Sequence, residues 1–184
     1  MNKMPDHTTG GGENERAQSE KGTEKAAPAG EPLAGEERLA TVLQVLPALG
    51  ASGGVERGTV EIAGAVVEAG GRAIVASAGG PLVHDLARVG AEHFELPLDS
   101  KNPVTLWRNV DRLADLIRAE KVDIVHARSR APAWSAWAAA KRTDTHYVTT
   151  FHGTYGASNH FKRVYNSVMT RGERVIAISQ FIAG

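Results

Sequence analysis

The chain has 184 residues, of which 42% are hydrophobic and 23% are charged, and its formal net charge is zero. This composition is that of an ordinary globular protein, and the balanced charge argues against nucleic acid as its main partner. The sequence contains no cysteine, which excludes a disulfide framework, a thiolate metal site and a cysteine nucleophile.

Residues 1–38 are predicted to form a disordered tail. The segment contains no aromatic residue, no Val and no Ile, and Leu33 is its only branched aliphatic side chain. Three consecutive glycines and several prolines interrupt any regular element. So little apolar surface cannot offset the entropy of ordering the chain, and we therefore expect order to begin near residue 39.

A strand and an amphipathic helix open the ordered part. Residues 41–46 form a short apolar, β-prone run, which predicts a buried strand. After a turn-rich loop, Val55, Thr59, Ile62 and Val66 recur at spacings of four, three and four. This spacing places the four side chains on one face of a helix.

The same alternation continues along the chain. Further strands are predicted at residues 72–77, 92–96, 122–126, 147–151 and 175–178, and further helices begin near residues 81, 103, 132 and 159. Strands that alternate with helices predict an α/β fold with right-handed crossovers and a mostly parallel, Rossmann-like sheet flanked by helices. We expect this domain to occupy residues 39–184.

A glycine-rich loop follows the first predicted strand, and ligands of parallel sheets bind beyond the carboxyl ends of the strands. Gly53 and Gly54 would let backbone N–H groups approach a phosphate, and the following helix adds its positive end. The spacing differs from the Gly-x-Gly-x-x-Gly dinucleotide fingerprint. A plain strand-to-helix turn is the alternative interpretation.

The segment His-Ala-Arg-Ser-Arg at residues 126–130 follows the fourth predicted strand. His126, Arg128 and Arg130 are suited to binding phosphate or carboxylate groups. The alternative is an exposed polar loop in which His126 is a hydrogen-bonded structural residue. Trp134 and Trp137 follow on the next helix, and we interpret them as core residues rather than as sugar-stacking platforms.

Two more polar residues lie at predicted strand ends. His152, followed by the flexible Gly153, could hydrogen-bond a substrate hydroxyl or transfer a proton, although a lone histidine is more often structural. Ser179 is predicted to cap the helix that follows the sixth strand and could also contact a ligand. The sequence has no Gly-x-x-x-x-Gly-Lys-Ser/Thr loop, and its seven histidines lack metal-ligand spacing.

Four segments together resemble the N-terminal domain of glycosyltransferase family 4, whose members are retaining, two-domain enzymes of the GT-B fold. They are GGVE at residues 53–56, VDIVHARS at 122–129, TFHG at 150–153 and VIAIS at 175–179. The resemblance covers residues 41–184 and implies that the predicted sheet is the N-terminal half of a GT-B fold. The longer stretch VHARSRAPAW at residues 125–134 resembles a bacterial subset linked with lipopolysaccharide and other surface polysaccharides.

The resemblance assigns the loops to two substrates, a nucleotide-sugar donor and a glycan or lipid-linked acceptor. His152 is expected to be the catalytic residue and to contact the donor sugar near the reaction centre. The expected donor-binding residues are Gly53, Gly54, Gly153 and Ser179. The expected acceptor-binding residues are His126, Arg128, Ser129 and Arg130.

The resemblance also implies how the reaction is supported. Such enzymes generally need no bound metal or other cofactor, because basic side chains and helix ends stabilise the charge on the departing diphosphate. The C-terminal domain of the family, which holds most donor-binding groups, has no counterpart within residues 1–184, so we expect no sugar transfer by this chain alone. A nucleotide-sugar epimerase-like enzyme and a non-catalytic Rossmann-like binding domain are the alternatives.

We expect a cytoplasmic location. A further expectation is peripheral contact with the inner membrane. Lys162, Arg163, Arg171 and Arg174 form a modest basic patch near the C-terminal end of the sequence. Such a patch is usually a solvated helix face, but it could also meet an anionic lipid surface.

Overall fold

A computed structural model describes residues 39–153 and 160–179, and in this part of the chain six parallel strands form one sheet in the order β3-β2-β1-β4-β5-β6. The strands are β1 (Thr41–Val45), β2 (Arg72–Ser77), β3 (Glu92–Glu95), β4 (Ile124–Ala127), β5 (His146–Phe151) and β6 (Arg174–Ala177). The helices are α1 (Gly54–Glu68), α2 (Val83–Arg88), α3 (Pro103–Ala119), α4 (Arg130–Thr143) and α5 (His160–Asn166), and a 3-10 turn spans Ser167–Thr170. The predicted Rossmann-like fold is confirmed.

Most element bounds differ from the predictions by one or two residues, and three of the differences concern β4, α4 and α5. Strand β4 begins at Ile124, because the Asp123 carboxylate accepts the Thr41 N–H at 2.7 Å before the regular ladder starts. Helix α4 begins two residues early, and Pro132 then lies in its first turn, where a missing N–H breaks no helical bond. The last predicted helix gives way to the 3-10 turn after Asn166. The predicted tail at 1–38 and the helix start at 159 lie outside the described residues.

Two apolar cores lie on opposite faces of the sheet. Along β2, Ile74 and Ala76 belong to one core and Ala73 and Val75 to the other, as the alternation of side chains along a strand requires. Helices α1 and α2 cover the face of Ala73 and Val75, whereas α3, α4 and the 3-10 turn cover the opposite face. None of the described helices is long and apolar enough to cross a membrane.

The longest helix, α3, follows its sequence signals closely. The Asn102 side chain accepts the Val104 N–H at 2.9 Å and so caps the helix, and Pro103 is the first helical residue, as predicted. Val110, Leu113 and Ile117 are buried on one face. The charged and polar positions between them face away from the core, as the helical period requires.

The strand order reverses between β1 and β4, and this point positions the candidate site. The chain leaves β1 toward β2 and β3 on one side, and β4 leads to β5 and β6 on the other. Sheets of this order bind ligands in the crevice at the carboxyl ends of the two strands where the order reverses. The Arg128 N–H donates to the Val45 carbonyl at 3.0 Å, so the ends of β1 and β4 are held together there.

Candidate functional site

His126 lies on β4 with its side chain in the protein interior. It is 4% exposed, and its Nε2 lies 2.7 Å from the Thr150 hydroxyl of the neighbouring strand β5. Burial, together with the electrostatic effects of Arg128 and His152, lowers the pKa of His126 to about 4. The imidazole is therefore neutral at neutral pH, as expected for a buried histidine with a structural hydrogen bond.

Arg128 follows directly after β4 and is the most unusual charged residue of the described chain. It is 2% exposed, and its Nε and Nη1 are buried without a hydrogen-bond partner among the described residues. Burial lowers the pKa of Arg128 to about 10, and the negative charge of Glu61 opposes part of that shift. The guanidinium therefore stays charged at neutral pH. Buried charges in proteins are ordinarily paired, so this one requires an explanation.

A glycine in the second turn of α1 makes room for this guanidinium. A Cβ on Gly58 would stand 2.9 Å from Arg128 Nη2, so the side chain packs directly against the helix backbone. Glycine is a poor helix former, and a packing or functional role is the usual reason for its presence inside a helix. Gly58 was not among the predicted site residues, although its mid-helix position was a usable signal.

His152 lies at the end of β5 and faces the same region. Its Nε2 is buried without a hydrogen-bond partner in the described part of the chain. Burial lowers the pKa of His152, the charge of Arg128 lowers it further, and the charge of Glu56 acts in the opposite direction. The mutual electrostatic effects place His126, Arg128 and His152 in one cluster.

Glu56 connects this cluster with the start of α1. Its carboxylate occupies the space that a Cβ on Gly53 would need, so a larger residue at position 53 would require this flexible side chain to move. Gly53 is the N-cap of α1 and provides no side-chain cap, and Glu56 is the acidic residue of the first turn. A negative charge is favoured at this end of a helix. Gly54 has no atom within 4 Å of a Cβ position, so the space beside it is open.

The other predicted site residues are placed differently. Arg130 Nη1 donates to the Asn166 side chain at 2.9 Å, and its guanidinium lies 6.0 Å from the Tyr165 ring centre, which ties α4 to α5. Ser129 is the N-cap of α4 but makes no side-chain cap bond. Ser179 is exposed beyond β6, and the helix that it was predicted to cap lies outside the described residues.

The two tryptophans of α4 form an edge-to-face pair with ring centres 5.9 Å apart. Both are half-buried and pack against the larger core, in line with their interpretation as core residues. The Arg171 guanidinium lies 4.6 Å from the ring centre of Trp137 and 5.0 Å from that of Trp134. This packing fixes the 3-10 turn against α4, so Arg171 has a structural contact in addition to its place in the predicted basic patch.

Two serine residues occur in arrangements that resemble the nucleophile sites of hydrolases, but neither has the setting of a nucleophile. The loop at residues 50–54 reads GASGG and matches the nucleophile pattern Gly-x-Ser-x-Gly, yet Ser52 is exposed and does not directly follow a strand. Ser77 lies 2.8 Å from His93 Nε2, but it is fully buried and also accepts the Gly79 N–H. No group of three potential metal-binding side chains occurs within the described ranges.

A groove of about 520 Å³ opens between α1 and α2. It is lined by Arg57, Val60, Glu61, Gly64, Ala65, Glu68, Leu82, Asp85 and Val89. None of the predicted site residues takes part in it.

Several solved structures are similar to the chain, and one of them is a glycosyltransferase. A glycosyltransferase from Rickettsia africae is 47% identical, with a TM-score of 0.68 over 78% of this chain and 38% of that protein. HepE from Anabaena, solved in complex with UDP and glucose, is 18% identical, with a TM-score of 0.61 over 76% of this chain and 38% of HepE. MurG from Acinetobacter baumannii is 13% identical, with a TM-score of 0.54 over 75% of this chain and 41% of MurG.

The chain thus spans well under half the length of each of these proteins. HepE and MurG share its fold, which is the Rossmann-like half of a GT-B architecture. No curated protein matches the chain. Residues 52–184 match the family described as Glycosyltransferase Family 4. The match covers most of the chain, including the whole candidate site, and the chain therefore belongs to glycosyltransferase family 4.

Proposed function

We propose that this chain forms the acceptor-side domain of a retaining glycosyltransferase that transfers a sugar from a nucleotide-sugar donor to a glycan or lipid-linked acceptor. The observation that carries the proposal is the proximity of α1, Arg128 and His152: Arg128 packs against Gly58 of α1, and the charges of Arg128 and Glu56 act on His152. Family membership and the 47% identity to a glycosyltransferase support sugar transfer as the chemistry. We place the reaction in the synthesis of lipopolysaccharide or another bacterial surface polysaccharide.

The donor diphosphate is proposed to bind at the start of α1. This helix has 15 residues, so its N-terminal N–H groups carry the partial positive charge of a full helix dipole. The open space beside Gly54 admits a phosphate close to the backbone. In the structure, the Glu56 carboxylate lies over Gly53 at the same helix end. A donor must therefore displace this carboxylate or share the site with a protonated or rotated Glu56.

His152 is proposed to act on the donor sugar. A neutral imidazole with an unpartnered Nε2 can donate to or accept from a sugar hydroxyl, or exchange a proton with it. An added Cβ on the next residue, Gly153, would meet no atom within 4 Å, which leaves room for the sugar beside the imidazole. Ser179 is proposed to complete the donor side from the end of β6.

The acceptor is proposed to bind along the segment after β4. Arg128 and His126 form the inner part of this segment, whereas Ser129 and Arg130 extend it toward α5. We further propose a cytoplasmic enzyme that contacts the inner membrane. Support comes from α5, where the basic Lys162 and Arg163 are exposed beside the apolar surface of Val164 and Tyr165.

Transfer is proposed to require no bound metal, with basic side chains and the end of α1 stabilising the departing diphosphate. The remaining donor-binding groups are assigned to a second domain. The length of the similar glycosyltransferase, of which this chain covers 38%, supports that assignment.

The test compares the 184-residue chain with a version that continues through the downstream coding sequence. Both are incubated with a panel of nucleotide sugars and with bacterial glycan and lipid-linked acceptors, with and without EDTA. We expect transfer only by the extended protein, without loss in EDTA, and NMR of the product should show the anomeric configuration of the donor.

Other outcomes decide against the proposal in different ways. Transfer by the 184-residue chain itself overturns the division into two domains. Inversion of the anomeric centre overturns retention. Epimerised sugar without transfer supports the epimerase alternative, and nucleotide-sugar binding without any turnover supports a binding domain.

A further inference from the structure

Arg128 is a buried cation without a counterion. Its guanidinium is almost fully buried, and none of the described carboxylates lies within ion-pair distance of it. Nε and Nη1 have no hydrogen-bond acceptor in the described part of the chain. A charged group that has lost its water and gained no partner is strongly destabilising. Such a group is retained most readily when a ligand supplies the missing partner.

The neighbours of Arg128 cannot neutralise it. His126 and His152 are both held neutral, in part by the guanidinium charge itself. Glu61 influences Arg128 electrostatically without forming an ion pair, and the Glu56 carboxylate is placed over Gly53. Arg128 therefore combines a positive charge with two unpartnered N–H donors, which is the chemistry of an oxyanion receptor.

We propose that Arg128 binds an oxyanion carried by the acceptor, either a phosphate or a carboxylate. This inference rests on the proposed function and adds a substrate class to it: the acceptor is an anionic glycan or a phosphorylated lipid carrier, not a neutral sugar. Planar guanidinium groups bind phosphate and carboxylate oxygens in the same geometry, so the two sources share one recognition chemistry.

The position of Arg128 along α1 separates this oxyanion from the donor diphosphate. The guanidinium packs at Gly58, four residues beyond Gly54. At the rise of a regular helix this is about 6 Å along the axis from the N-terminal N–H groups. Arg128 also projects from the end of β4, whereas the glycine pair belongs to the loop after β1. Two anions can therefore bind without sharing donors.

Access to the receptor needs a small rearrangement. Because Nε and Nη1 are buried, an oxyanion reaches them only when part of the covering chain moves. His152 belongs to the cluster and Gly153 follows it directly, and an added Cβ on Gly153 would meet no atom within 4 Å. We assign the opening to this segment.

The test measures anion binding by the 184-residue chain, with inorganic phosphate, sodium glucuronate and pyrophosphate as probes. Binding is followed by the thermal midpoint and by the ¹H–¹⁵N signal of Arg128 Nε, which reports on the parent protein without any substitution. Arg128→Met removes the charge, and Arg57→Met removes an exposed charge from the same helix. We expect saturable binding of phosphate or glucuronate that moves the Nε signal, weakens by about tenfold or more in Arg128→Met and is unchanged in Arg57→Met.

Each outcome has a defined meaning. Tighter binding of phosphate identifies a phosphorylated acceptor, and tighter binding of glucuronate identifies a carboxylated one. Phosphate and glucuronate binding that persists in Arg128→Met, or an Nε signal that does not move, overturns the proposal. If pyrophosphate is the only probe whose binding depends on Arg128, the residue belongs to the donor site, and this result also overturns the proposal. The assay needs no sugar transfer, so this inference and the proposed function can fail independently.

Discussion

Arg128 and Gly58 are in direct contact, and the contact joins the end of β4 to the second turn of α1. Nη2 lies 2.9 Å from the point where a Cβ on Gly58 would stand. Tolerating glycine inside a helix costs about 0.5–1 kcal/mol relative to alanine. The glycine therefore lowers the stability of the helix and leaves room for a buried cation against its backbone. Such a loss of stability is expected where the cation binds a ligand.

Substitution of Gly58 by alanine should weaken anion binding without a comparable loss of stability. The new methyl group would push the guanidinium away, so anion binding should weaken severalfold, while the gain in helix propensity offsets much of the packing penalty. Gly64→Ala is the matched control in the same helix, because its Cβ would make an ordinary contact at 3.5 Å with Val89. That control should raise the free energy of unfolding by about 0.5–1 kcal/mol and leave binding intact. Equal binding by both variants would contradict the prediction.

Replacing Arg128 by methionine should make the ligand-free chain more stable. Methionine fills a similar volume without an unpaired buried charge, and we expect the free energy of unfolding in urea to rise by about 1–3 kcal/mol. The exposed Arg57→Met variant should change it by less than about 0.5 kcal/mol. A marked loss of stability in Arg128→Met would show that the guanidinium has a structural role and no need of a ligand.

The fold was predictable because its signals are local. Apolar runs and helical spacing identified the strands and most of the helices, including the start of α3 at Pro103. The contrast between Arg128 and Arg130 was not predictable, since the two lie two residues apart in one polar segment. The first is buried because β1 and β4 pair and Gly58 leaves space, and the second bonds Asn166 on a later helix. Both outcomes depend on contacts between distant parts of the sequence.

The stability of the chain should fall in mild acid because of buried neutral histidine. Unfolded His126 protonates near 6.5, whereas in the folded chain its pKa is about 4. Between these values the unfolded state binds more protons, so the free energy of unfolding decreases as the pH falls, by roughly 3 kcal/mol for this residue alone. The lowered pKa values of His93 and His152 act in the same direction.

Urea unfolding from neutral pH down to about pH 5 measures this effect. His126→Gln keeps a side-chain partner for Thr150 but cannot titrate, so its stability should depend less steeply on pH. Substitution of the exposed His84 by glutamine is the control for the loss of a histidine at the surface. If His126→Gln follows the same curve as the parent, the buried imidazole is not the group that responds to acid.

In the sugar-transferring protein proposed above, His152→Gln should impair turnover more than substrate binding. The proposed contact of Nε2 with the donor sugar matters most near the transition state, so kcat should fall by about 10²-fold with little change in KM. His160→Gln is the control, because His160 is exposed at the start of α5. A rise in KM without a loss of kcat would place His152 in binding alone.

Glu56 should act as a competitor for the anion site at the start of α1. Its carboxylate lies over Gly53, where the helix end favours negative charge. Glu56→Gln removes that charge, so pyrophosphate should bind about two- to fivefold more tightly at low salt, and the gain should shrink as salt screens the interaction. The same variant should lower the pKa of His152 further, because Glu56 opposes the downward shift.

Calorimetry and an NMR titration measure the two effects, with Glu68→Gln at the far end of α1 as the control. Unchanged pyrophosphate affinity together with an unchanged His152 titration would mean that the Glu56 carboxylate does not occupy this position in solution.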